Sequence, residues 1–164
     1  MTDALKLSTL TASIAAASIT VTKVDTTSGT LTIKDTSGVM PAVPQGDCPI
    51  LQPRPDLFLT EFALERDTYG GDVAYKTARY TLHYQFFFAP VLQGVTVYAD
   101  YAANLNALVA ILNYYAVNTN AILSGGGATE ILPLLADALP QKDVTGTLFH
   151  GGVIDFQVVK YMET

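Results

Sequence analysis

The run Arg79-Tyr80-Thr81-Leu82-His83-Tyr84-Gln85-Phe86-Phe87-Phe88 constrains the fold more than any other part of this 164-residue chain. Tyr80, Leu82, Tyr84, Phe86 and Phe88 fall on one side of an extended backbone, and Arg79, Thr81, His83 and Gln85 on the other. A period of two belongs to a strand with one apolar face, and aromatic side chains of this size need a cover. The spacing predicts a strand over Val73 to Phe88. It pairs with a second over Leu57 to Arg66 through Asp67-Thr68-Tyr69-Gly70-Gly71-Asp72, where Gly-Gly supplies the positive φ of a hairpin tip. The cover is a helix over Val97 to Ala116, in which Tyr101, Leu105, Leu108, Leu112 and Tyr115 recur at helical spacing.

Smaller elements surround this unit. Leu7, Leu10, Ile14 and Ala17 mark a short amphipathic helix over Asp3 to Ala17, and Ile19 to Val24 with Thr30 to Lys34 form a hairpin about Asp25-Thr26-Thr27-Ser28-Gly29. Residues 36 to 56 hold Pro41, Pro44, Pro49, Pro53 and Pro55, a density that predicts a long, stiff loop without regular structure. Asn118 to Thr129, with Gly125-Gly126-Gly127, reads as a mobile loop, and Ile131 to Leu139 as a short helix or strand. Val144 to Phe149 and Val153 to Tyr161 read as a closing hairpin that turns at His150-Gly151-Gly152. The expected fold class is α+β in one domain over residues 1–164: an antiparallel or mixed sheet, an N-terminal helix and one long helix packed on it, and a long Pro-rich loop.

Candidate chemistry is sparse. His83 and His150 are far apart in sequence and Cys48 is the one cysteine, so neither a zinc set nor an internal disulfide is expected, and no cofactor. His83 belongs to the polar face of its strand as a solvated or hydrogen-bonded residue, and His150 to a turn. Gly125-Gly126-Gly127 lacks the Lys-Ser/Thr ending of a phosphate loop, and no Gly-x-Ser-x-Gly elbow is present. Glu61 with Glu65, and Asp67 with Asp72, fit solvent faces and turns better than paired catalytic acids. The expectation is a protein that is not an enzyme. Asn106 and Asn113 break the best apolar run, Leu105 to Val117, so no membrane span is expected. Met1-Thr2-Asp3-Ala4 lacks the features of a secretory leader, which points to the cytoplasm.

Charge is the last signal. Nine Lys plus Arg against 15 Asp plus Glu give a net charge of −6, which argues against a phosphate-gripping surface. Charged residues make up 15% of the chain, below the ~25% usual for soluble domains. The deficit is concentrated from Tyr80 to Gln141, where no Lys or Arg occurs and Asp100, Glu130 and Asp137 are the only charges. With strand and helix stripe covering each other, Phe87, Val91, Leu92, Val95, Tyr98, Tyr114, Val117, Ile122, Leu123, Ile131 and Leu132 form an apolar surplus. Such a surplus predicts a protein-binding surface and an obligate oligomer. The small-molecule alternative is a cup lined by Tyr80, Tyr84, Tyr101 and Tyr115.

Several features follow one another in a telling order: the short first helix, the passage Pro41 to Pro55, and Asp67-Thr68-Tyr69-Gly70-Gly71 leading into Arg79 to Phe86. Tyr98-Ala99-Asp100-Tyr101 then opens a helix, and Phe149-His150-Gly151-Gly152 precedes a last strand. This layout resembles the tail terminator and tail completion proteins at the neck of long-tailed bacteriophages. The resemblance implies a virion protein, assembled in the host cytoplasm, whose α+β subunits form a homohexameric ring. Such a ring caps the tail tube, stops its polymerisation and joins it to the head connector or adaptor protein, with no reaction catalysed. DNA passes through without specific binding, as an acidic, Lys/Arg-poor lumen allows. Head completion and head-tail joining proteins share the subunit style. Contacts to tube and connector are expected from three loops: the first carries Pro41, Pro44 and Pro49, the second Tyr69, Gly70 and Gly71, the third Asn118, Gly125, Gly126 and Gly127.

Overall fold

The computed structural model describes residues 6–38, 48–67, 75–91 and 98–163. In chain order these form α1 (Leu7–Ala15), β1 (Thr20–Thr22), β2 (Ser28–Thr30), β3 (Thr32–Ile33), β4 (Ile50–Pro53), β5 (Leu59–Asp67) and β6 (Tyr75–Pro90). They continue with α2 (Tyr98–Val117), α3 (Thr119–Leu123), β7 (Glu130–Asp137), β8 (Gln141–Lys142) and β9 (Leu148–Glu163). β1 and β2 make a two-stranded ribbon; the other strands form a seven-stranded sheet in the order β3-β4-β6-β9-β7, with β5 also on β6 and β8 also on β9. All pairs are antiparallel except the short parallel pair β3–β4. The chain is therefore α+β, with a mostly antiparallel sheet, an N-terminal helix and one long helix.

Residues 79–88 alternate as expected: Tyr80, Leu82, Tyr84, Phe86 and Phe88 are all buried on one face, beside Ile154, Phe156 and Val158 of β9. Tyr84 and Tyr115 meet the Phe156 ring edge-on, with centroids 5.2 and 5.0 Å away. Tyr115 also donates its hydroxyl to the Ile14 carbonyl at 2.9 Å, which ties α2 to α1. The helix stripe is displaced from expectation. Asn104, Ala107, Leu108, Ile111 and Tyr115 are buried, Leu105 and Leu112 only partly, and Tyr101 is 46% exposed. Large side chains alone mislocate the stripe because two of its members are Asn and Ala. Asn104 earns its place by donating Nδ2 to the Gly151 carbonyl at 2.9 Å.

Four other expectations need correction. Residues 36 to 56 are not irregular throughout: Ile50, Leu51 and Gln52 are buried in β4, paired with β3 on one side and β6 on the other. Pro49 and Pro53 bracket that strand rather than interrupt it, so they remove little of its ladder. His150-Gly151-Gly152 is not a turn but the early part of the continuous strand β9; the turn lies at Asp143–Thr147, where the Asp143 carboxylate accepts from the Thr145 and Thr147 amides. Close packing explains the glycines. A Cβ on Gly151 would collide with the Phe86 carbonyl oxygen, and one on Gly152 would sit 2.6 Å from the Asp137 carbonyl oxygen. Asn118 to Thr129 is not all loop, since it contains α3. Thr30 to Lys34 is split, with Thr30 pairing to β1 and Thr32–Ile33 to β4.

Two of the buried tyrosines have no hydrogen-bond partner among the described residues, Tyr80 and Tyr84. Burial pushes the Tyr80 hydroxyl up to about 12 and raises Tyr84 and Tyr115 further. A buried hydroxyl without a partner costs its desolvation with no return. Tyr84→Phe should accordingly be neutral or stabilise by about 1 kcal/mol, while Tyr115→Phe, which breaks the bond to α1, should destabilise by about 1 kcal/mol. Gly151→Ala should cost about 3 kcal/mol or more, because the obstructing atom is backbone. Urea unfolding of the three variants checks the ordering.

Candidate functional site

The strand alternation that buries one side of β6 places polar residues on the other, and there they are joined across the sheet. His83 of β6 lies directly opposite Asp155 of β9, and its Nδ1 is 2.5 Å from the Asp155 carboxylate. On its other side Nε2 is 2.6 Å from Thr60 Oγ1 of β5. A carboxylate only accepts, so Nδ1 carries the proton, and in the neutral ring Nε2 accepts from the Thr60 hydroxyl. This acid, imidazole and hydroxyl order spans three strands. Neighbouring rungs repeat the cross-linking: Thr81 donates to Glu61 at 3.2 Å, and Gln85 to Gln141 at 3.3 Å. His83 is thus hydrogen-bonded on the polar face, as the alternation implies. Its partners, from distant parts of the chain, carried no sequence signal. Chemically the line can hold β5 to the central strands, or raise the nucleophilicity of the Thr60 oxygen through a general base.

The second candidate site is the outer surface of α2. In twenty residues this helix has one charge, Asp100. Tyr101, Ala102, Asn106, Val109, Asn113 and Val117 are exposed, Val109 and Val117 by 60% and 73%. Beside them runs a groove of about 240 Å³ lined by Thr20, Val21, Thr22, Ala103, Asn106, Ala107 and Ala110, again with no charge. An amphipathic helix facing water normally carries charges on that side.

The apolar surplus read from the sequence divides. Phe87 is fully buried with Ile50 and Phe149 in a small cluster of its own, and Ile122 and Ile131 join the main core. Tyr114 and Leu123 pack partly against it, and Val117 and Leu132 remain exposed. Leu92, Val95 and the Tyr98 side chain lie outside what is described. The tyrosine cup is not formed: Tyr80, Tyr84 and Tyr115 are core plugs and Tyr101 faces outward.

Of the expected contact residues, Pro41, Pro44, Tyr69, Gly70 and Gly71 lie outside the described residues. Pro49 is buried and its carbonyl accepts from Thr32 at 3.1 Å. Asn118 stands between α2 and α3 and donates its side-chain amide to the Tyr114 carbonyl. Gly125 and Gly126 are exposed, whereas Gly127 is buried with Leu10 of α1 so close that a Cβ would sit 2.7 Å from its amide. Among the described residues no group of His, Cys, Asp and Glu could hold a metal, and no helix is long and apolar enough to cross a membrane. No protein-family model matches the chain, and a search of curated proteins found no match either.

Removing one member of the sheet-spanning line should expose the imbalance of the others. Asp155→Ala leaves a nearly buried imidazole N–H without its acceptor and should cost about 1–3 kcal/mol, more than Thr60→Val at about 1 kcal/mol. Chemical denaturation at neutral pH reads both.

Proposed function

We propose that the chain is a structural subunit that assembles into a ring at the neck of a long-tailed bacteriophage, where it caps the tail tube and joins it to the head connector. The observation that carries this reading is the uncharged, solvent-facing side of α2 with its adjoining groove, a surface that water alone does not explain. The α+β architecture and the net charge of −6, which disfavours a grip on passing DNA, support it. The role is assembly, the partners are further copies, the tube protein and the connector protein, and the place is the virion. A head completion or joining protein at another level of the neck uses the same surfaces.

One observation favours a second reading. The Asp155–His83–Thr60 line sets a carboxylate, an imidazole and a hydroxyl in hydrogen-bonding order, the arrangement an acyl-transfer site with Thr60 as nucleophile uses. Turnover of p-nitrophenyl acetate that Thr60→Val abolishes would select it; equal rates for variant and wild type dismiss it.

Light scattering after size-exclusion chromatography, with negative-stain imaging, tests the ring. The chain, alone or with tube protein, should form rings with a central pore about as wide as duplex DNA, and a closed dimer would sink the reading. Val109→Glu should shift the assembly to monomer while leaving thermal stability within about 0.5 kcal/mol, since the side chain is already exposed.

A further inference from the structure

The two long edges of the sheet are finished differently. In β6, His83 gives its amide to Phe58 and accepts from Arg54, so its odd-numbered residues point their backbone groups toward β4 and β5. By antiparallel alternation, Ala63 and Glu65, opposite Arg79 and Thr77, face inward, and the amides and carbonyls of Leu64 and Arg66 lie on the outer edge. Across the sheet the same alternation, carried through β9, turns Leu132 and Leu134 inward and Pro133 outward. Pro133, in the middle of β7, has no N–H to offer, so the β7 edge is closed to a continuous added strand. β5 contains no proline; its own register shift lies between Thr60 and Ala63, with Glu61 at φ 57°, and beyond it the regular stretch Ala63 to Arg66 is exposed.

The open edge also has a pattern. On the side of the sheet that bears the core, Phe62 stacks on Tyr80 at 5.7 Å and Leu64 is 53% exposed. On the opposite side stand Glu61, which reaches Thr81, and Glu65, opposite Thr77; neither is in an ion pair among the described residues. Arg79, a cation of that side, lies one strand in from the edge, opposite Ala63. We propose that the β5 edge accepts an extended segment of another protein whose side chains alternate, apolar against Phe62 and Leu64, and Lys or Arg against Glu61 and Glu65. Backbone bonds to Leu64 and Arg66 hold the added strand and the alternation selects it. A second copy of this chain fits the edge poorly: its β7 is closed and carries Glu130 and Asp137, and its β5 brings the same two glutamates. This inference goes beyond the ring reading, because a chain that stays monomeric can still take a strand here.

The test is fluorescence anisotropy at physiological salt with three labelled synthetic nonapeptides: alternating Val-Lys, alternating Val-Glu, and a block peptide with the composition of the first. Val-Lys should bind about fivefold or more tighter than either of the others, the gain expected from two exposed ion pairs added to a common ladder. Its binding should slow amide exchange at Leu64 and Arg66. Glu61→Lys with Glu65→Lys should reverse the preference between Val-Lys and Val-Glu. Leu64→Pro, at an exposed edge position, should abolish binding of all three while ellipticity is retained. Equal binding of alternating and block peptides, no saturable binding, or an unchanged order in the charge-reversed variant would overturn the proposal. So would self-association of the free chain that Leu64→Pro removes, which would assign the edge to a second copy.

Discussion

The pairing of β6 with β9 is the interaction on which the rest of this molecule depends. Each strand is sixteen residues long, and the two run together from Tyr75 opposite Glu163 to Pro90 opposite Phe149. Every other strand of the main sheet attaches to this pair or, for β3, to β4, which itself attaches to it. The pair decides what the helices cover, because Tyr84, Phe86 and Phe156 make the apolar floor on which Tyr115 and Ile111 settle. It also decides what the reverse side holds, since the register that aligns Tyr84 with Ile154 must align His83 with Asp155. Core and polar line are two readings of one register.

The scarcity of charge between Tyr80 and Gln141 takes on a different meaning in this framework. Much of that stretch is simply interior. Phe86, Phe87 and Phe88 are consecutive in β6 and all buried, one face against the helices and the other against Ile50 and Phe149, so this end of the strand is covered on both sides. What stays at the surface without charge is the outer side of α2 and part of β7. Four exposed apolar side chains, Leu57, Leu59, Phe62 and Leu64, lie outside the charge-free stretch, the last three on β5, whose glutamates made it look ordinary.

The sequence was legible where one face of an element is uniform. The alternation at 79–88 located β6, and the spacing of Leu7, Leu10 and Ile14 located α1. It was misleading where small or polar residues do structural work. Asn104 and Ala107 shift the buried stripe of α2 because one is buried through its bond to Gly151 and the other is a small buried residue, and neither counts as apolar bulk. Gly151-Gly152 resembles a turn, yet the glycines are there because neighbouring backbone comes too near for a side chain. The polar line was out of reach for another reason: Thr60, His83 and Asp155 meet only through strand pairing, and nothing local to any of them signals the other two.

The separation in sequence between the two central strands also governs the order in which the molecule can form. Residues 75–90 are synthesised well before residues 148–163, and until the later segment exists the sheet lacks the neighbour that runs the full length of β6. Contacts so distant along the chain close slowly. Throughout that interval the aromatic row of β6 has no finished surface to lie on, and such exposed rows are where nascent chains associate wrongly. A chain built this way depends on whatever shields Tyr84 and Phe86 before β9 arrives: Phe58, already made, meets the Tyr84 ring edge-on, and α2, made next and bearing Ile111 and Tyr115, can add to that cover.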